Sequence, residues 1–180
     1  MPNIYYYTSP KSQSNYMLNT TADTHANAEA ACNLWGGHLA MWESVTEQAE
    51  VEQAFVSDGG LIGSFHQSYW MGLEVQDWPQ FGWMDKTVLA PSKRTYNHWI
   101  KNAPGNRAFG CGLANWNTSY TNAWGWQDAD CERQLVYICE LSSGWRRWQQ
   151  SCSLMPHMQP RSAGVIYWAP GPPRCTGSPH

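Results

Sequence analysis

Residues 124–140 read WGWQDADCERQLVYICE, from Trp124 to Glu140, and hold two cysteines, several carboxylates and a run of strand formers. Three readings compete for this stretch: a metal site, a reactive thiol, or a disulfide-stapled strand beside a binding surface. Its second half alternates. Val136 and Ile138 face one way, and Leu135, Tyr137 and Cys139 the other. Apolar groups on both sides predict a central strand, covered on two faces.

Working outward, the cysteines are Cys32, Cys111, Cys131, Cys139, Cys152 and Cys175. None forms the close CxxC pair from which zinc and redox motifs draw their ligands. An even, widely spaced set points to disulfides and an oxidising compartment. The sequons at Asn19 and Asn117 agree and make both asparagines candidate glycosylation sites. The opening MPNIYYYTSP has no basic start followed by an apolar stretch, so a secreted protein would need a leader outside this sequence. No run is long enough to span a membrane.

Twelve Trp and nine Tyr stand beside four Phe. Such rings join a large apolar body to a polar handle and serve both cores and partly wet binding faces. Only 14% of residues are charged and the net charge is −3, which argues against nucleic acid as a partner. All the acids lie in residues 1–140. The remaining forty residues carry only arginines, with many prolines and no period, and are expected to be a mostly disordered tail or linker. Cys152 and Cys175 are candidates to close a loop there.

The first helix is predicted from THANAEAACNLW, capped by Asp23 or Thr24 and stopped at Gly36-Gly37. The second follows Ser44, where Ser44 and Glu47 can satisfy each other's backbone donors; Val51 and Phe55 share a face. HLAMW, the stretch from Tyr69 to Leu73, and that from Phe81 to Met84 read as strands. Asp85 to Asn122 is a long irregular excursion, and such loops tend to be functional.

In this order the signals resemble the C-type lectin-like domain. Cys32-Asn-Leu-Trp-Gly36 closes the first helix. Trp70-Met-Gly-Leu73 resembles the family's WIGL strand, and Phe81-Gly-Trp83 and Asn97-His-Trp99 the segments after it. Trp126-Gln-Asp128-Ala-Asp-Cys131 resembles the WND-x-x-C signature, and Val136-Tyr-Ile-Cys139-Glu140 the closing FICE strand. The match covers residues 14–141, leaving 1–13 as an extension and 142–180 as the tail. The resemblance implies an α+β fold, with two helices flanking small antiparallel sheets, a long loop, and disulfides Cys32–Cys139 and Cys111–Cys131. It also implies a cis Ala103–Pro104 bond.

Sugar-binding members hold Ca²⁺ through a Glu-Pro-Asn or Gln-Pro-Asp motif. Here Ala103 and Gly105 flank Pro104, so two oxygen ligands are gone. Gln127 stands where the family has Asn, and Asp128 matches its aspartate; these two are the remaining metal candidates. Any calcium site is therefore expected to be weak or lost, and Asp128 has a second reading, as a carboxylate bonded to loop amides. Candidate ligand-binding residues are Asn102, Asn106, Asn115, Trp116, Asn117, Tyr120, Gln127 and Asp128. Trp116 and Tyr120 have no core counterpart and are read as exposed, whereas Trp70, Trp83 and Trp126 are read as core. His38 and His98 are read as packed. No nucleophile–base arrangement or phosphate loop appears, so catalysis is not expected. The expected job is extracellular recognition of a glycan or glycoprotein. The alternative is a calcium-independent protein-interaction module.

Overall fold

The closing strand organises the chain. A computed structural model describes residues 4–57, 68–84, 96–116, 124–142 and 165–168. In chain order the elements are β1 (Ile4–Thr8), β2 (Asn15–Asp23), α1 (His25–Leu34), β3 (Gly37–Leu39), α2 (Val45–Ser57), β4 (Ser68–Asp77), β5 (Gln80–Trp83), β6 (Cys111–Asn115), β7 (Gly125–Ala129), β8 (Leu135–Leu141) and β9 (Val165–Trp168). β8 lies between β4 and β2, in the order β7-β6-β4-β8-β2-β1-β9, while β3 also pairs with β8 and β5 with β4. The fold is α+β, as the motifs imply, but the small sheets join into one. The parallel pairing of Tyr69 and Trp70 with Val136 and Tyr137 makes the junction.

The alternation along β8 divides the core. Val136 and Ile138 pack with Trp42, Phe55, Tyr69, Trp83 and Trp126. Leu135, Tyr137 and Cys139 pack on the other side with Cys32, Trp35 and Trp70. Both expected disulfides are present. Cys32–Cys139 spans 107 residues and Cys111–Cys131 spans 20, with Cα atoms 5.4 and 5.2 Å apart. The stapled-strand reading of the opening stretch is therefore the right one.

The helix ends follow their capping residues. Thr24 caps α1 by accepting from the Asn27 N–H, and Gly36 takes φ +78° just beyond its end. At α2, Ser44 Oγ accepts from the Glu47 N–H (3.1 Å). Glu47 returns the contact to the Glu43 N–H (2.8 Å), one residue before the expected one.

Strands form outside the expected bounds of 14–141. Residues 4–13 do not stand apart from the rest of the fold. β1 pairs with β2, Tyr5, Tyr6 and Tyr7 are buried, and Glu50 of α2 accepts from Tyr7 and Ser9. Nor is the tail wholly without structure, because β9 pairs antiparallel with β1 and covers its open edge. An uncovered strand presents a row of unpaired backbone groups, and Val-Ile-Tyr-Trp is a run suited to pairing with it. Cys152 and Cys175 lie outside the described residues.

Cross-linking a loop of about 100 residues stabilises by roughly 4.7 kcal/mol on the chain-entropy model, and one of about 20 by roughly 3. Replacing Cys32 and Cys139 together by Ser should lower unfolding free energy by about 2–5 kcal/mol, more than the same change at Cys111 and Cys131. Urea denaturation checks this; the reverse order would contradict it.

His25 gives a pH signature. Its ring is buried against Trp70, and Nε2 donates to the Met71 carbonyl (3.0 Å). Burial lowers its pKa from the ordinary 6.5, against a smaller upward pull from Met71, Glu74 and Glu29. Below 6.5 the unfolded chain takes up a proton that the folded one refuses, so stability falls as pH drops. His98, lowered by burial, acts in the same direction. Glu140, raised by burial above its ordinary 4.5, acts in the opposite one. The comparison of wild type with His25→Gln isolates the term. The variant's urea midpoint should fall less between pH 7.5 and 5.5, and parallel curves would refute the assignment.

Candidate functional site

The loop returns to the sheet beside β7. The Trp126 N–H donates to the His98 carbonyl (2.6 Å), and the Ile100 N–H to the Trp126 carbonyl (3.0 Å). A turn follows, in which the Ala103 N–H donates to the Ile100 carbonyl (3.1 Å). Asn102 takes φ +70°, a left-handed conformation that asparagine tolerates better than most residues. The Ala103–Pro104 bond is cis, as the resemblance implies.

Asp128 closes this turn. Its Oδ1 accepts from the Gly105 N–H (3.1 Å) and its Oδ2 from the Asn106 N–H (2.7 Å). The side chain is only 6% exposed. Asp128 makes the bonds to loop amides that one of its two readings expects. Asn106 adds a local brace, since its Oδ1 accepts from the Ala108 N–H (3.0 Å). Gly105 is required at its position, because an added Cβ would lie 2.7 Å from the Asn102 carbonyl oxygen.

The candidate residues fall into two groups. Asn102 and Asn106 are exposed on the turn that Asp128 closes, and Gln127 is exposed beside Asp128 on β7, on the strand's other face. Asn115 and Trp116 lie elsewhere. Gly112 pairs with Asp128 and Asn115 with Gly125, so the groups are three rungs, or roughly 10 Å, apart. Asn115 is half-buried and accepts from Ser68 Oγ (2.7 Å). Trp116 is a correction: it is 1% exposed, its ring centroid 4.3 Å from that of Tyr69. Ala114 and Trp116 are two apart and share the core face, an alternation that could have placed the indole. Trp70, Trp83 and Trp126 are core, as expected. Asn117, Tyr120 and the remainder of the loop at 85–95 and 117–123 lie outside the described residues. Asn19 pairs with Tyr137 across the sheet; its Nδ2 donates to the Tyr137 hydroxyl (2.7 Å) and its Oδ1 accepts from the Thr21 N–H.

Calcium needs six to eight oxygens at about 2.3–2.6 Å, several of them charged. At this turn Ala103 offers a methyl, Gly105 no side chain, and both oxygens of Asp128 face N–H donors. Gln127 is exposed and keeps an amide oxygen, but among the described residues the donors around Asp128 fall short of a calcium shell. Among the described residues no three His, Cys, Asp or Glu converge.

The family model of the C-type lectin domain matches residues 21–141. The chain belongs to this family. C-type lectin domain family 6 member A of Mus musculus is 30% identical over 127 residues, covering 70% of this chain and 54% of that protein. The C-type lectin domain of murine dendritic cell inhibitory receptor 2, solved with an N-glycan, superposes with TM-score 0.55 at 21% identity over 76% of this chain and 96% of that one. A calcium-independent type II antifreeze protein superposes at 0.58 with 22% identity, over 76% and 91%. At these identities the structures show the fold alone. The chain spans about half the length of the curated relatives it matches. It is a lectin-like recognition module, of a family of generally non-enzymatic domains found typically at cell surfaces or secreted. No helix among the described residues is long and apolar enough to cross a membrane.

Sequence reasoning missed Gln48 and Glu52, which are fully buried under the loop. The signal was present: they fall at i and i+4 on the stripe of Val51 and Phe55, polar positions inside an apolar face.

Removing the Asp128 acceptors should free the turn. Asp128→Ala should destabilise it by about 1–3 kcal/mol, and Asp128→Asn by less, because one acceptor oxygen survives. Amide hydrogen exchange at Gly105 and Asn106 should quicken in that order. Unchanged exchange in Asp128→Ala would contradict the assignment.

Proposed function

We propose that this module works outside the cell, binding a glycan or glycoprotein through the face of the long loop without depending on tightly held calcium. The observation that carries the reading is the engagement of Asp128: its carboxylate holds the turn by hydrogen bonds to Gly105 and Asn106. The turn is thus shaped by the chain's own donors. Asn102, Asn106 and Gln127 then present amides to solvent. An amide supplies both a donor and an acceptor, the pair that a sugar's hydroxyls require. Asn117 and Tyr120 would extend this face. A glycan linked to Asn117 would mask part of it.

A second reading has its own support. Trp116, a candidate ligand-binding ring read as exposed, is inside the core. A face of amides without an exposed indole also suits a protein partner that needs no sugar.

A glycan array run in calcium and again in EDTA separates the readings. Binding that persists in EDTA is expected. Binding abolished by EDTA would return the metal to the site. Binding to no glycan in either buffer would favour the protein-partner reading.

A further inference from the structure

The stripe of α2 that faces the core carries two polar side chains. Gln48 is 0% and Glu52 1% exposed. Taking a carboxylate out of water is costly unless hydrogen bonds replace its hydration. Glu52 has such replacements. Its Oε1 accepts from Gln48 Nε2 (2.8 Å) and from the Tyr69 hydroxyl (2.7 Å), and its Oε2 from Trp124 Nε1 (2.9 Å). Gln48 Oε1 in turn accepts from the Tyr96 hydroxyl (2.7 Å) and Trp126 Nε1 (3.0 Å).

Chemistry fixes the direction of these bonds. An indole N–H can only donate, so the Gln48 atom facing Trp126 must be its oxygen. The amide nitrogen then faces Glu52, and a carboxylate there is the acceptor it needs. Tyr96 spends its single hydroxyl hydrogen on Gln48. His98 Nδ1, 2.9 Å from the same hydroxyl, is therefore the donor in that contact. Burial lowers the His98 pKa, in keeping with a neutral ring that carries its hydrogen on Nδ1. The ring also meets Trp124 edge-on, with centroids 4.4 Å apart.

The groups so gathered come from two segments. Tyr96 and His98 lie where the loop returns to the sheet; Trp124 and Trp126 lie where β7 begins. Those segments carry the backbone rungs between His98, Ile100 and Trp126. Asp128 fastens the same pair of segments on the turn side. We propose that Gln48 and Glu52 are positioning residues for the recognition face: a metal-free clamp, reaching from α2 through the core, that fixes the Tyr96–Asn106 segment against β7. Only the use of this face for recognition rests on the proposed function; the clamp is defined without a ligand.

A double-mutant cycle on the whole chain tests it, with amide hydrogen exchange read in EDTA. Glu52→Gln keeps the shape but turns an amide N–H toward a donor. Exchange at Ile100, Gly105, Asn106 and Trp126 should quicken about tenfold or more, while Ile138 and Cys139 in β8 keep their rates. Trp124→Phe removes one of the donors. In that background Glu52→Gln should have at most half its effect in logarithmic terms, because the two side chains act through one bond. Equal acceleration in the loop and in β8 would mark an ordinary core role and overturn the clamp. So would full additivity, or slow exchange that requires calcium. If Glu52→Gln does not fold, Trp124→Phe alone decides: local quickening at Ile100 and Trp126 supports the clamp, and unchanged rates overturn it. A silent glycan array with this exchange pattern would remove the ligand reading and leave the clamp standing; the converse result would do the opposite.

Discussion

A carboxylate oxygen cannot give the same lone pairs to an N–H group and to a cation. At Asp128 the N–H groups of Gly105 and Asn106 each take one lone pair, one on either oxygen, and these bonds hold the turn between Asn102 and Asn106. Ala103 and Gly105 fit the same logic. Side-chain oxygens at those positions would compete for charge with backbone donors already in place, and the space at Gly105 is closed by the Asn102 carbonyl. The proposed recognition face is thus organised by hydrogen bonds inside the chain.

An irregular loop can be held in this way only if its footing does not move. β8 supplies the footing. It is covered on both faces, paired with β2, β3 and β4, and tied through Cys139 to α1. Cys131 ties the turn before β8 to Cys111 at the start of β6. β7 is the outer strand next to β6, and its open side accepts the loop through Trp126. From the core side α2 reaches the same place through Gln48 and Glu52. Asp128 and Glu52 therefore do related work from opposite sides: each is a buried carboxylate, Asp128 met by N–H groups of the turn and Glu52 by Trp124 at the stem together with Gln48 and Tyr69.

What could be read in advance followed from short-range rules. The two faces of β8 were visible in the alternation of Leu135 to Cys139. The caps at Thr24 and Ser44 follow from which side chains can bond a free N–H. The disulfides came with the resemblance, because spacing alone does not choose among the ways six cysteines can pair. What stayed hidden depended on long-range contact. IYYY near the start looks like an edge strand, and only pairing with β2 on one side and β9 on the other brings its rings inside. Trp116 looks like a loop residue because the strand before it, Cys111–Asn115, is short, and only the small Ala114 two positions earlier marks the same face. Its partner Tyr69 is far away in sequence. Gln48 and Glu52 stand on the buried stripe of Val51 and Phe55, but the partners that satisfy them there, Tyr69, Tyr96, Trp124 and Trp126, come from far along the chain.

The most direct test of the central claim is a calcium titration of labelled protein, following the backbone N–H signals of Gly105 and Asn106. If Asp128 is committed to those two groups, both signals should hold their positions from EDTA through the low millimolar range. A saturable shift of both at submillimolar calcium would mean that the carboxylate lets go of the turn to take the ion, and would contradict the account.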